Sequence, residues 1–396
     1  MERKLRMGMI GGGKDAFIGA VHRIAANMDG LIELVSGALS IDPAVAKESG
    51  RSLFLPEDRI YLTYEEMLEK EAALPAGQRM DFVTIVTPNF AHFKPAMLAL
   101  EKGFNVVIEK PVTLTLDEAL ELQQKLTETG LQLMLTHTYS GYPMVKEARR
   151  LIQEGELGKI RKVLVEYPQG WLSRMVYKGV NVQAAWRTDP ARSGKSGCMA
   201  DIGTHAAHLA EYVSGLRIIE LCAQLTSFSD GNALDDDGNV LLKLENGAVG
   251  VLMASQMASG EENALKIRVY GERGGIEWSQ HEPNSLLVKW VDQYMQTIRS
   301  GTRYTELLSE DALHNCRVPG GHPEGYLEAF ANLYRNFALS LIDKIDGVTP
   351  SSQALDFPTI GDGVRGMAFI DCVVASNATS EKWTVFAGNG AGLAAP

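Results

Sequence analysis

Cysteine is scarce and unpatterned: Cys198, Cys222, Cys316 and Cys372 are four thiols in 396 residues, and no two share a C-x-x-C or comparable spacing. A zinc cluster or a disulfide framework needs its thiols at short, repeated intervals, so no metal site is expected and the four read as reduced core thiols. Long apolar runs are also missing. A membrane helix takes about 20 predominantly apolar residues, and no such stretch occurs. The amino end MERKLRMGMIGGG passes straight into a strand-like run without a separate cleavable apolar segment, which makes the cytoplasm the expected compartment. Basic charge is in deficit: 38 Lys and Arg against 49 Asp and Glu leave a formal net charge of -11, with no basic cluster. Nucleic acid is bound by neutralising phosphates with clustered Lys and Arg, so no nucleic-acid partner is expected. Internal repeats and low-complexity linkers are absent, and only the tail 387–396, rich in Gly and Ala, reads as flexible.

What is present is an ordinary globular composition, 45% hydrophobic, in a chain long enough for two domains. The chain is organised around 81–113, DFVTIVTPNFAHFKPAMLALEKGFNVVIEKPVT. Two apolar runs, 82–87 and 105–108, read as buried strands, and Phe93, Ala96, Met97 and Leu100 between them recur at helical spacing. A parallel strand pair follows, and ligands bind at the carboxyl edge of such a sheet. That edge carries Thr87, Pro88, Asn89 and His92 after the first strand, then Glu109, Lys110 and Pro111 after the second. Pro111 disfavours the α region for Lys110, so the lysine is extended and its amine has a defined direction. An ammonium on a rigid strand end can polarise a hydroxyl or carbonyl oxygen. Taken alone, Glu-Lys-Pro reads equally well as two surface charges at a strand terminus; the buried strands around it favour the functional reading.

Upstream, a first strand over 5–10 ends in Gly11-Gly12-Gly13-Lys14-Asp15-Ala16, which fits G-x-G-x-x-G/A, and a helix follows through Ile18, Val21, Ile24 and Ala25. Glycines there let the backbone approach a pyrophosphate, and the helix start offers it unpaired N–H groups. A glycine triplet can also be only a tight turn; a second strand over 31–39, at βαβ distance, favours the dinucleotide-binding reading. The acid expected at its end for the ribose 2'-hydroxyl of NAD is replaced by Ser40. Asp42 lies two residues on and reads equally as an N-cap, with Pro43 at the first helical position. Neither Ser40 nor Ile41 is basic, as a 2'-phosphate would require, so NAD is expected over NADP. A capped helix from Thr115 and a last strand over 131–136 close this domain near residue 140.

Beyond a connecting helix over 143–155 the pattern changes to long strands at 161–167, 218–228, 240–244, 248–256 and 265–270, with a hairpin turn at Glu245-Asn246-Gly247. A largely antiparallel sheet is expected. The chemical group here is GCMADIGTHAAH, 197–208. In a helix, Asp201 and His205 lie one turn apart on one face, and a carboxylate beside an imidazole suits a general base. Asp201 as an N-cap with a half-buried His205, or a metal held by His205 and His208, are the other readings of the same spacing.

With G-x-G-x-x-A, T-P-N-x-x-H, E-K-P and D-x-x-x-H in this order, and with Trp186-Arg187 and Asp356-Phe-Pro-Thr-Ile-Gly-Asp-Gly-Val-Arg besides, the sequence resembles the glucose-fructose oxidoreductase and inositol dehydrogenase family (Gfo/Idh/MocA) over nearly its whole length. The resemblance implies an α/β Rossmann domain, 1–140, followed by an α+β domain, 141–386, whose open sheet commonly forms a homodimer or homotetramer. It implies hydride transfer between a nicotinamide cofactor and a ring carbon of a sugar, glycoside or inositol, of the scyllo-inositol or L-glucose kind. Lys110 then binds the reacting hydroxyl, His205 is the general base, and Asp201 holds substrate and orients His205. Gly11, Gly12, Gly13, Ala16, Ser40, Asp42, Thr87, Pro88, Asn89, His92, Glu109, Lys110, Trp186 and Arg187 line the cofactor, while Tyr142, Arg174 and His322 are further substrate contacts. An NADPH-dependent keto-sugar reductase and an NAD-assisted glycosidase are the alternative activities.

Overall fold

The computed structural model describes residues 3–14, 16–178, 190–229, 232–303 and 306–387. The chain divides into two compact units, Met1–Thr138 with Tyr326–Val364, and Tyr139–Gly325 with Arg365–Pro396.

In the first unit β1 (Leu5–Gly11), α1 (Phe17–Asn27), β2 (Ile32–Ala38), α2 (Pro43–Ser52), α3 (Tyr64–Ala73), β3 (Phe82–Val86), α4 (Phe93–Glu101), β4 (Asn105–Ile108), α5 (Leu116–Thr129) and β5 (Leu133–Leu135) alternate in the expected manner. Their strands form a five-stranded sheet in the order β2-β1-β3-β4-β5, parallel throughout. Every residue of β3 and β4 is buried, as continuous Val, Ile and Phe runs demand when helices cover both faces. Asp42 caps α2 and Pro43 sits in its first turn; Thr115 and Glu118 form a reciprocal capping box on α5.

The domain boundaries read from sequence need one correction. The first break, after Thr138, is close to the expected 140, but residues 326–364 return to the first unit. The reason is the helix Tyr326–Ile345, which buries Phe330, Leu333, Tyr334, Phe337 and Leu341 in one core with Val21 and Ala25 of α1 and Met7 and Met9 of β1. Those five residues recur at 3 and 4 spacing, so the stripe was legible. Its partner was not, because an amphipathic stripe carries no address.

In the second unit α6 (Pro143–Gln153), β6 (Lys162–Pro168) and α7 (Trp171–Lys178) are followed, after the segment 190–203, by α8 (Thr204–Ser214) and then by β7 (Ile218–Thr226), β8 (Asp237–Leu244), β9 (Val249–Ser255), β10 (Lys266–Tyr270), β11 (Gly274–Ser279), β12 (Ser285–Trp290), β13 (Gln296–Arg299) and β14 (Thr384–Val385). These strands make a nine-stranded sheet, β13-β12-β11-β10-β6-β9-β8-β7-β14. All neighbours are antiparallel except β6 and β9. One face is buried through Val163, Val165, Leu242, Leu252, Ala254 and Ile267. On the other, Leu241 is 44% and Val249 47% exposed. Among the described residues no helix is long and apolar enough to cross a membrane, and no group of His, Cys, Asp and Glu side chains is placed to hold a metal ion.

Candidate active site

A parallel sheet brings the carboxyl ends of its strands to one edge, so the first unit presents there the residues that follow β1, β2, β3, β4 and β5. After β1 the chain turns through Gly12 at φ +71°, a left-handed conformation that glycine adopts without cost. A Cβ added to Gly12 would stand 2.7 Å from Cγ2 of Val86 and 3.0 Å from Cα of Gly19. Conversely, a Cβ on Gly19 would lie 2.4 Å from both the Cα and the carbonyl oxygen of Gly12. The helix thus abuts the turn directly. Gly19, one turn into α1, makes this close approach, while Ala16 is the N-cap and offers no side-chain oxygen. No acid occupies the first turn of α1. A glycine turn leading to a helix with no side-chain cap and no acid in its first turn fits a dinucleotide pyrophosphate.

At the end of β2, Ser40 Oγ accepts from the Asp42 N–H at 3.1 Å, and Asp42 Oδ1 accepts from the N–H groups of Ala44 and Val45 at 2.8 and 3.1 Å. Asp42 is therefore the N-cap of α2, and Ile41 between the two is fully exposed. After β3, Thr87 Oγ1 donates to the Ala91 carbonyl at 2.9 Å, and Asn89 follows Pro88 into a 3-10 turn. His92 is fully buried, with Nδ1 2.9 Å from the Pro111 carbonyl and Nε2 2.8 Å from that of Thr87. Burial pushes its pKa down against those two carbonyls and the Glu109 charge.

After β4 come Glu109 and Lys110, and the Lys110–Pro111 peptide is cis. Glu109 accepts from His22 Nε2 at 2.9 Å and from the Thr136 hydroxyl, while its second oxygen lies 3.3 Å from the Lys110 N–H. Burial pushes its carboxyl up, but His22, the Lys110 charge and Thr136 outweigh burial and hold it below the usual carboxylate range. His22, Thr136 and Tyr334 were not legible as site residues, since none belongs to a motif.

The second unit holds Asp201 and His205. They do not sit on one α-helix: Met199–Gly203 is a π-helical turn that leads into α8, and His205 is the second residue of α8. Such wide turns recur at functional sites. Asp201 Oδ2 accepts from Gln256 Nε2 at 2.8 Å; Gln256 is buried at the end of β9. The His205 ring is buried, edge-on to Tyr139 with centroids 5.0 Å apart, and Tyr139 is hydrogen-bonded to Tyr167. Asn263, Gln169 and Trp171 continue that network through Asn263 Nδ2 to Tyr139 Oη at 3.4 Å, Gln169 Nε2 to Asn263 Oδ1 at 2.6 Å and Trp171 Nε1 to Gln169 Oε1 at 3.0 Å. His208 stacks on Tyr212.

Of the other substrate candidates, Tyr142 is buried at the start of α6 against Tyr139 and Trp278. Arg174 is exposed on α7. His322 is exposed, its Nδ1 3.1 Å from the Pro319 carbonyl. Trp186, Arg187 and the tail 388–396 lie outside the described residues.

Comparison with known proteins gives matches to two family models: residues 5–137 to the oxidoreductase family with an NAD-binding Rossmann fold, and residues 145–277 to the GFO/IDH/MocA C-terminal domain. An uncharacterised oxidoreductase of Bacillus subtilis (strain 168) is 31% identical over 98% of this chain and 98% of its own. An inositol dehydrogenase homolog from Azotobacter vinelandii, solved in complex with NAD+, superposes with a TM-score of 0.90 at 34% identity, covering 97% of this chain and 98% of that one. The same homolog complexed with NADH and myo-inositol superposes with a TM-score of 0.88 at 33% identity over the same shares, 97% and 98%.

Proposed function

Since the chain belongs to the Gfo/Idh/MocA oxidoreductase family and carries its NAD-binding Rossmann fold, we propose that it is an NAD-dependent dehydrogenase acting on a ring secondary hydroxyl of a cyclitol or sugar. The observation that carries this reading is the likeness, at 33% identity over 97% of this chain, to a homolog complexed with both NADH and myo-inositol. When bound, NAD supplies the hydride acceptor.

The chain's own residues supply the proton chemistry. Lys110, on the strand end after β4, presents an ammonium to the reacting hydroxyl oxygen and stabilises the negative charge that grows there. His205 takes the hydroxyl proton at a ring nitrogen. Asp201 holds the imidazole and stabilises its charged form, and Gln256 fixes the Asp201 carboxylate by donating to Oδ2. The half-exposed face of the nine-stranded sheet supports assembly into a homodimer or homotetramer.

The test is a screen of inositols, hexoses and glycosides with NAD and separately with NADP, following absorbance of the reduced cofactor. Turnover of a cyclitol or sugar with NAD is the expected result. Absence of reduced cofactor with every polyol would defeat the reading, and tightly retained NAD with glycoside cleavage would replace it by a glycosidase.

A further inference from the structure

The imidazole of His22 is fully buried on α1 between two groups far away in sequence, with Nδ1 2.6 Å from Tyr334 Oη and Nε2 2.9 Å from Glu109 Oε1. Tyr334 Oη in turn lies 3.2 Å from Thr84 Oγ1 on β3, and the Thr136 hydroxyl also donates to Glu109 Oε1. With the His22 ring neutral, the donor and acceptor inventory gives this chain one direction. An ionised Glu109 only accepts, so Nε2 carries the hydrogen. The Nδ1 of a neutral ring then accepts, and its donor is the Tyr334 hydroxyl. With that hydrogen committed, the Tyr334 oxygen accepts from Thr84. Side chains from β3, the helix Tyr326–Ile345 and α1 are thus ordered toward one carboxylate, whose other oxygen faces the backbone N–H of Lys110.

We propose that His22 is a positioning residue: through Glu109 it holds, as an anion and in one orientation, the residue directly before Lys110, and the Tyr334 hydroxyl supplies the hydrogen that Nδ1 then accepts. The proposal rests on the reading of Lys110 as the cation of the dehydrogenase reaction. The titratable and charged groups facing Glu109 are His22 from α1, His92 from the turn after β3, Tyr334 from the long helix, and Lys110 beside it. A histidine present only to fill space would leave the Glu109 titration unmoved when its nitrogens are removed.

The experiment follows the carboxylate directly. In protein labelled with 13C at the glutamate δ carbon, NMR reports each carboxylate titration, and Glu109→Gln identifies the resonance of Glu109. His22→Phe keeps a ring beside Phe330 and Tyr334 and removes both nitrogens. Its Glu109 midpoint should move up by about 1 pH unit or more, because a hydrogen bond to a carboxylate favours the ionised form. His22→Gln, whose amide nitrogen can replace Nε2, should reverse most of that shift. On the substrate found by the screen, kcat of His22→Phe should fall roughly tenfold with KM little changed, and His22→Gln should recover most of the loss. If His22→Phe does not fold, Tyr334→Phe, which removes a single oxygen, carries the same measurement with a smaller shift. An unmoved midpoint in a folded variant overturns the proposal, as does an unchanged kcat or an equal loss in His22→Phe and His22→Gln. A moved midpoint with no turnover of any polyol by the wild type supports the His22–Glu109 link and sinks the dehydrogenase reading alone.

Discussion

Nδ1 of the buried His92 imidazole lies 2.9 Å from the carbonyl oxygen of Pro111, and this contact ties the turn after β3 to the segment that follows Lys110. The His92 pKa is pushed down by burial. An imidazole in the unfolded chain titrates near ~6.5. Below that pH the unfolded chain binds a proton that the folded ring refuses. The stability contributed by the neutral ring is therefore complete above about pH 6.5 and is lost as pH falls toward the lower folded value, by at most about 1.4 kcal/mol per pH unit. Denaturant melts between pH 5 and 8 should show a steeper acid loss for wild type than for His92→Gln. Parallel slopes would count against a buried neutral His92.

The proposed chemistry gives three separable phenotypes. Lys110→Ala and His205→Ala should each lower kcat by roughly two to four orders of magnitude, the range of one acid-base group, while NAD still binds by fluorescence titration. The acid limb of the rate profile should disappear in His205→Ala. Gln256→Leu leaves Asp201 Oδ2 without its amide donor, and the loss of one hydrogen bond to a carboxylate should lower kcat about tenfold or more. A variant that loses activity only because NAD no longer binds would contradict its assigned role.

Gly19→Ala tests the cradle. Its Cβ would meet backbone atoms of Gly12 at 2.4 Å, and backbone cannot rotate away as a side chain can. Overpacking of this kind costs about 1–3 kcal/mol, and here it also displaces the turn that is to hold the pyrophosphate. The melting temperature should drop and the NAD dissociation constant should rise at least tenfold, read by calorimetry. Ala16→Gly, by contrast, should change NAD binding little.

Cofactor choice turns on Ile41. It is fully exposed, so Ile41→Arg disturbs no packing, and it adjoins Ser40 at the end of β2. Wild type should bind NAD more tightly than NADP. The arginine variant should bind NADP about tenfold more tightly than wild type, with the gain shrinking as salt rises. Equal affinities of wild type for the two cofactors would refute the reading of Ser40 and Ile41.

The half-exposed face of the nine-stranded sheet sets Leu241 beside Val251 in register, and Val249 beside Lys243, so apolar rows are bordered by charge. Leu241→Asp should shift sedimentation at micromolar concentration toward the monomer without loss of secondary structure. A wild-type monomer under those conditions would exclude this face as an assembly surface.

Residue types and periods determined much of this protein. Apolar runs at 82–87 and 105–108 read as buried strands, the glycine triplet read as the turn after a strand, and Asp42-Pro43 and the Thr115 cap announced helix starts that the structure realises. Lys110 could be proposed from the sequence because its motif is local. Tertiary structure alone decided that the stripe at 330, 333, 334, 337 and 341 packs on α1, and so that Tyr334 meets His22. It alone decided that Gly19 meets Gly12, that Gln256 holds Asp201, and that a π-helical turn carries Asp201. The physical reason is the range of the interactions. Hydrogen bonding within a helix turn and side-chain alternation in a strand act over a few residues and leave a period in the sequence, whereas a contact such as His22 with Tyr334, 312 positions apart, leaves none.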